Sequence, residues 1–486
     1  MRATRREFLR TAGRAGIGAA AMAFGGRGIG RAASGRKPNI ILILGDDLGY
    51  SQLGCTGEQK IRTPRIDELA AQGVRFTDAH SGSPVCAPSR CVLMTGLHTG
   101  HAQIRDNKEI QPEGQGPLAA GTATLARLLK AEGYATAATG KWGLGAPGST
   151  GDPNRQGIDL FFGYNCQRHA HNHYPTHLWR NDAKVQIDGN DGGPTGKQYA
   201  PDLFEREALE FIRNKKDVPF FLFFATTVPH LALQVPDDSL AEYAGLWPET
   251  PYDGKKGYLP HARPRAAYAA MVTRFDRSVG RILDQLKSLG LEDETIVLLA
   301  SDNGETYDIG GYDPVFFKGS GPFRDHKGSI YEGGIRVPLI VRWPGRIRPG
   351  RTTEHLCGLQ DILPTMLEAA GAPARIPQEI DGLSLLPVLT EKGKAEEHRF
   401  LYMEFPAYGG QQMVRTGRWK AVRRNLQKDP AAPVELYDLE SDIAESRDVS
   451  REHPDLVAKA REIMKAEHRP SKEFPFPALD EGSRKP

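Results

Sequence analysis

Residues 39–44 read Asn-Ile-Ile-Leu-Ile-Leu, an almost unbroken apolar run that stops at Gly45-Asp46-Asp47. Such a run, without polar alternation, predicts a strand buried on both faces, as in a parallel sheet. Residues 219–225 and 295–300 have the same character. Residues 337–343 predict one more strand, with Pro338 at its start or on an edge. Between these runs, apolar residues recur at three- and four-residue spacing over 63–72, 124–132, 203–214 and 266–289, which predicts helices. Thr63 is expected to cap the first, with Pro64 at its first position. Strands alternating with helices predict an α/β fold around a mostly parallel central sheet. In such sheets ligands gather beyond the carboxyl ends of the strands, where Asp46-Asp47 and Asp302-Asn303 both fall.

After Asp381-Gly382 the pattern changes to short β-like pieces at 400–403, 412–415, 419–423 and 435–439, then a helix over 454–468. This predicts a small carboxyl-terminal α+β domain with an antiparallel sheet. Its expected span is 376–486, following a catalytic domain at 37–375, and the last dozen residues read as a loose tail.

The first 36 residues read differently. Thr4-Arg5-Arg6-Glu7-Phe8-Leu9-Arg10 precedes a soft Gly/Ala-rich stretch, the pattern of a twin-arginine (Tat) export signal. Cleavage is expected near residues 32–34. The expected partner is the Tat machinery and the expected location periplasmic or extracellular. No later stretch reaches the roughly 18 apolar residues of a membrane span, so no transmembrane anchor is expected in the mature form.

Composition narrows the chemistry. With 63 basic against 60 acidic residues the net charge is +3, which gives no reason to expect nucleic acid as a partner. Five cysteines without a C-x-x-C pair suggest neither a disulfide framework nor a zinc site. One of them opens the most informative string, Cys86-Ala87-Pro88-Ser89-Arg90, with Thr95-Gly96 beyond it. Pro88 suits a first helical turn, which sets Cys86 at the positive end of a helix and Arg90 one turn later on the same face.

C-x-P-S-R followed by T-G resembles the signature of the type I sulfatases, alkaline-phosphatase-superfamily enzymes in which this cysteine becomes formylglycine (3-oxoalanine). The resemblance continues through Pro38-Asn39-Ile40, Thr139-Gly140-Lys141-Trp142, Pro229-His230, Ser301-Asp302-Asn303-Gly304, Lys327, residues 332–338 and Asp361-Ile362-Leu363-Pro364-Thr365. It implies an alkaline-phosphatase-like α/β sandwich, hydrolysis of sulfate monoesters on a sulfated small molecule or glycan, and a formylglycine-generating enzyme as partner. An aldehyde hydrate offers two hydroxyls, one to attack sulfur and one to help expel sulfate afterwards. Asp46, Asp47, Asp302 and Asn303, with the modified residue 86, are the implied ligands of one cation. Their oxygen donors suit a hard ion, and calcium accepts such a set more flexibly than magnesium. Lys141 and Lys327 are the implied sulfate contacts, Arg90 holds the formylglycine hydroxyls, and His230 protonates the leaving oxygen.

One departure stands out. Where many family members have histidine two residues after the T-G-K lysine, this chain has Gly143. A substitute base is expected from His169, His171 and His173, with His171 preferred and a structural or substrate-binding role as the alternative. His326 and residues 312–317 are candidates for the substrate rim or an ordinary loop, Cys91 and Cys166 for structural thiols. The competing functions are a phosphonate monoester hydrolase or phosphodiesterase of the same superfold, and a sulfated-glycan binder without turnover.

Overall fold

The computed structural model describes residues 36–480, and the expected export signal lies outside them. From Lys37 onward the described residues form one compact unit. The strands in chain order are β1 (Asn39–Asp46), β2 (Val74–Phe76), β3 (Ala79–His80), β4 (Ala135–Lys141), β5 (Leu160–Tyr164), β6 (His177–Arg180), β7 (Ala183–Gln186), β8 (Phe220–Pro229), β9 (Thr295–Ser301), β10 (Leu339–Arg342), β11 (Arg351–Thr353) and β12 (Cys357–Gly358). Ten of these make one sheet in the order β11-β2-β10-β9-β1-β8-β4-β5-β6-β7. Its centre, β9-β1-β8-β4-β5, is parallel throughout, so five strand ends open on the same edge.

The unbroken apolar run of β1 now has its reason. Ile41 and Ile43 face one layer, packing with Phe204, Phe211 and Ile282, while Ile40, Leu42 and Leu44 face the other, with Val92, Leu129 and Leu363. Helices cover both faces, among them α1 (Pro64–Ala71), α2 (Cys86–Thr95), α3 (Leu125–Ala131), α4 (Ala200–Asn214) and a long helix at Pro264–Ser288. A second, antiparallel sheet comprises β13 (Leu401–Phe405), β14 (Gln411–Thr416), β15 (Trp419–Arg423) and β16 (Glu435–Asp438), followed by the helix Pro454–Ala466.

Two local expectations, the Thr63 cap and the loose tail, are corrected, and the place of Pro338 is settled. Thr63 does not cap α1: its hydroxyl donates to Asp67 (3.1 Å) and accepts from the Gly54 N–H (2.8 Å), a competing local use that threonine readily makes. Pro338 stands directly before Leu339, at the start of β10, the first of its two expected places, and the strand is internal, between β9 and β2. The tail is not loose as far as residue 480. Phe476 is buried against Leu426 and Ala432, and Asp480 accepts from the Phe476 N–H (2.9 Å). Two aromatic anchors, Phe474 and Phe476, outweigh the polar composition around them.

Phe476→Ala therefore destabilises the protein by about 3 kcal/mol, the usual cost of deleting a buried phenyl ring. Denaturant unfolding measures this, and an unchanged midpoint would mean the segment carries no packing energy.

Candidate active site

The site is built where β1, β4, β8 and β9 end. β1 delivers Asp46 and then Asp47, whose backbone takes a left-handed turn (φ 63°). β9 delivers Asp302 and Asn303 immediately after Ser301, and the two strand ends are tied together. The Asp47 N–H donates to Asp302 Oδ1 (3.2 Å), the Leu48 N–H donates to Ser301 Oγ (2.9 Å), and Asn303 Nδ2 donates to Asp47 Oδ1 (2.8 Å). All four acidic or amide side chains are fully buried.

Cys86 is the first residue of α2, as the proline signal predicts, with Arg90 one turn on. The first turn is fixed by the Ala87 N–H donating to Asn107 Oδ1 (3.0 Å). Arg90 reaches Asp302 through Nε and Nη2 (3.0 and 2.7 Å to Oδ2) and the Lys141 carbonyl through Nη1 (2.5 Å). Lys141, at the end of β4, pairs with Asp46 Oδ2 at 2.7 Å. Lys327 pairs with Asp47 Oδ1 at 2.7 Å and lies 3.6 Å from Cys86 Sγ. Three carboxylates and three cations thus share one buried volume around a single sulfur. Such a concentration of charge is tolerable only with dense pairing. Burial works against the Asp46 carboxylate, but Lys141 and Arg90 outweigh it and hold it well below its ordinary range. Burial and the neighbouring Asp46 push Asp302 upward.

His230 follows β8. Its Nδ1 lies 2.6 Å from the Leu231 carbonyl, which can only accept, so Nδ1 carries the proton and Nε2 faces Asp47 Oδ2 at 3.5 Å. Burial, reinforced by Lys327, keeps this ring neutral.

The three histidines near residue 170 separate. His171 stacks on His230 (centroids 4.5 Å, planes 15° apart), and burial pushes it down to about 3. His173 has both nitrogens engaged, with Thr227 Oγ1 and the His230 carbonyl, each at 2.9 Å, and it braces the His230 turn. His169 turns away to Glu113. His326 is partly exposed beside Lys327. Of the proposed rim stretch, Tyr312 and Phe317 are core side chains packed against Tyr268, Phe317 at the end of the short helix Pro314–Phe317, so neither the rim nor the ordinary-loop reading describes them.

Two tyrosines were not anticipated from sequence. Tyr258 sits beside His171 and His230 (5.4 and 6.0 Å), and the Tyr408 ring lies over Gly328, where a Cβ would come within 2.5 Å. Neither belongs to a motif, and both take positive φ in loops, so no periodicity marks them.

Asp46, Asp47, Cys86 and His230 bring potential ligand atoms within 4.8 Å of one another. Asn303 Oδ1 is buried without a hydrogen-bond partner. A set of carboxylate oxygens completed by an unsatisfied amide oxygen fits a hard divalent cation. The fold and this charged pocket define a hydrolase for tetrahedral oxyanion esters.

Comparison with known proteins gives the family. The sulfatase family model matches residues 38–372, and the model of the N-sulphoglucosamine sulphohydrolase carboxyl-terminal region matches 323–469. The chain is 33% identical to human arylsulfatase A over 458 residues, covering 85% of this chain and 83% of that protein. It is 29% identical to the N-acetylgalactosamine-6-O-sulfatase of Bacteroides thetaiotaomicron, covering 89% and 93%. Among solved structures, Ps i-CgsB superimposes with a TM-score of 0.74 at 30% identity, covering 89% of this chain and 93% of that one. The phosphonate monoester hydrolase of Agrobacterium radiobacter shares the fold (TM-score 0.63) at 20% identity. The chain belongs to the sulfatase family of the alkaline phosphatase superfamily and is a sulfuric ester hydrolase.

The Cys86 thiol is itself a poor nucleophile here. Burial pushes its pKa up to about 12, despite the downward pull of Lys141 and Lys327. A raised pKa keeps the group protonated at every pH below it. In protein whose Cys86 is left unconverted, alkylation at this residue is therefore negligible at pH 8. It climbs about tenfold per pH unit toward pH 11, as the thiolate fraction does. Mass spectrometry of the labelled peptide checks this, and rapid labelling at pH 7 would contradict the electrostatics.

Proposed function

We propose that this protein hydrolyses sulfate monoesters of a sulfated carbohydrate, through a formylglycine derived from Cys86 and one calcium ion. The observation that supports the reading most is the gathering of Asp46, Asp47, Asp302 and the orphan amide oxygen of Asn303 around a residue 86 flanked by Lys141, Lys327 and Arg90. A converted residue 86 supplies a hydrated aldehyde as nucleophile in place of a thiol held protonated. Calcium held by Asp46, Asp47, Asp302, Asn303 and residue 86 supplies Lewis acidity toward a sulfate oxygen.

The remaining roles fall to the chain's own side chains. Lys141 and Lys327 now pair with the aspartates at 2.7 Å, and they neutralise sulfate oxygens once those carboxylates are otherwise engaged. Arg90, locked on Asp302, fixes the start of α2 and the hydroxyls at residue 86. His230 presents an unprotonated Nε2 to the site; this nitrogen first takes a proton from solvent, which a bound sulfate ester favours by offsetting Lys327, and then passes it to the leaving oxygen. His171, neutral and stacked on His230, takes up the proton released in the second half-reaction.

The carbohydrate assignment draws on the named relatives, one an N-acetylgalactosamine-6-O-sulfatase, and on a Ps i-CgsB structure with k-i-k-neocarrahexaose. The tyrosines at the mouth, Tyr258 and Tyr408, suit the apolar faces of sugar rings. Conversion requires a formylglycine-generating enzyme, and the amino-terminal pattern directs the chain through Tat export to the periplasm or beyond. Among the described residues no helix is long and apolar enough to cross a membrane.

Sulfate release from sulfated N-acetylgalactosamine, compared with phosphonate release from an aryl phosphonate, tests the assignment. The expected result is sulfate turnover at least about 100-fold above phosphonate turnover. It is lost on chelation, restored by calcium, and reduced at least about tenfold in His171→Ala. Preference for the phosphonate, or turnover indifferent to chelation, would contradict it.

A further inference from the structure

Alongside Lys141 and Gly143 lie two carboxamides, Asn165 and Gln167, whose side-chain hydrogen-bonding capacity the protein does not use. Tyr164 pairs with Lys141 across β4 and β5, and the Trp142 N–H donates to the Tyr164 carbonyl (2.9 Å). The chain leaving β5 therefore runs alongside the chain leaving β4, directly after Lys141. On it, Asn165 is fully buried, and neither Oδ1 nor Nδ2 has a partner. Gln167 is 6% exposed, and neither Oε1 nor Nε2 has one. Its backbone is held, since the Gln167 N–H donates to Gln115 Oε1 (3.2 Å). Buried polar groups are normally paired, and a buried amide lacking partners at both ends is costly.

The position of the Gln167 amide connects it to the site. Gly143, two residues beyond Lys141, has φ 76°, and a Cβ built there would overlap Gln167 Nε2. The next side chain at that point is Arg90, its Cδ 3.8 Å away. The amide thus occupies the space a side chain at position 143 would need, against the arginine that braces Asp302. A bare Gly143 and an unpartnered Gln167 are two halves of one arrangement.

We infer that Gln167 is a substrate-contacting residue, its Nε2–H donating to an oxygen of the sulfuryl group held at residue 86. This rests on the reading of Cys86 as the reacting residue. A carboxamide has no useful basicity, so Gln167 binds and orients and takes no proton. That division of labour leaves proton uptake with His171, stacked on His230. Gly143 is then required for its lack of a side chain.

The test compares the parent enzyme with Gln167→Ala, Gln167→Glu, Gly143→Ala and the Gly143→Ala/Gln167→Ala pair. Four quantities are read: kcat/KM for 4-nitrophenyl sulfate, competitive inhibition by inorganic sulfate, the thermal midpoint, and the mass of the residue-86 peptide. Gln167→Ala is expected to lower kcat/KM by about 10- to 100-fold and to weaken sulfate inhibition by a similar factor, at unchanged midpoint and unchanged conversion of residue 86. Gln167→Glu falls further, because a carboxylate repels the anion. Gly143→Ala, which displaces the amide without deleting it, reproduces the loss, and the double variant is no worse than either single one. Should Gln167→Ala fail to fold, Gly143→Ala reads the same quantities. Parent-like kcat/KM and sulfate inhibition in Gln167→Ala, or a fall in the thermal midpoint alone, would overturn the inference. An active parent that keeps an intact thiol at residue 86 would instead remove the reading beneath it, while sulfate inhibition would still report on Gln167.

Discussion

The structure depends on one electrostatic constraint: three buried carboxylates and three buried cations must occupy the same few ångströms beyond β1 and β9. Asp46, Asp47 and Asp302 could not stay ionised there alone, and Arg90, Lys141 and Lys327 could not stay desolvated without them. Charge pairing at this density demands backbone precision, which the parallel sheet supplies. Adjacent parallel strands end together, so residues distant in sequence arrive at one edge with fixed separations. Even the close packing of the strands serves this end. Gly140, directly before Lys141, has φ 103°, and a Cβ there would run into the Ala225 carbonyl of β8.

The small antiparallel sheet also supports the site. Lys327 stands on a loop whose far end is anchored by a fully buried charge network. Lys420 on β15 pairs with Glu332 (2.7 Å) and Glu445 (2.9 Å), while the Arg336 side chain donates to Glu332 (2.6 Å). Closer to the lysine, its own N–H donates to the Glu305 carbonyl (2.8 Å), and the Gly328 N–H donates to the Pro84 carbonyl (2.9 Å), two residues before Cys86. The carboxyl-terminal strands therefore fix one of the two lysines beside the sulfur, and the same region lends Tyr408 to the mouth. Glu332 thus joins the loop that carries Lys327 to the carboxyl-terminal strands.

What could be read from the sequence divides along physical lines. β1, β8 and β9 are legible because burial on both faces leaves no polar positions, and the strands at 401–438 because their short β-rich pieces are set apart by turns. β4 is not legible. Ala135–Lys141 is built of Ala, Thr and Gly, which pack tightly between two strands but carry little hydrophobic signal. Asp46, Asp47, Lys141 and Asp302 stand in motifs at strand ends, Arg90 in the motif that opens α2 and Lys327 in one on a loop, so all could be named in advance. Asn107, Tyr258, Gln167 and Tyr408 could not, because loops bring them in by tertiary contact alone. The failed cap at Thr63 and the anchored Phe476 have the same origin, tertiary partners overriding local preference.

The proposed nucleophile seated among these charges is a carbonyl-derived diol, and not a thiol. Tandem mass spectrometry of the tryptic peptide spanning residue 86, taken from active enzyme, tests it most directly. The expected mass lies about 18 Da below that of the encoded cysteine peptide, in proportion to activity. Full activity in protein whose peptide retains the unaltered cysteine mass would contradict it.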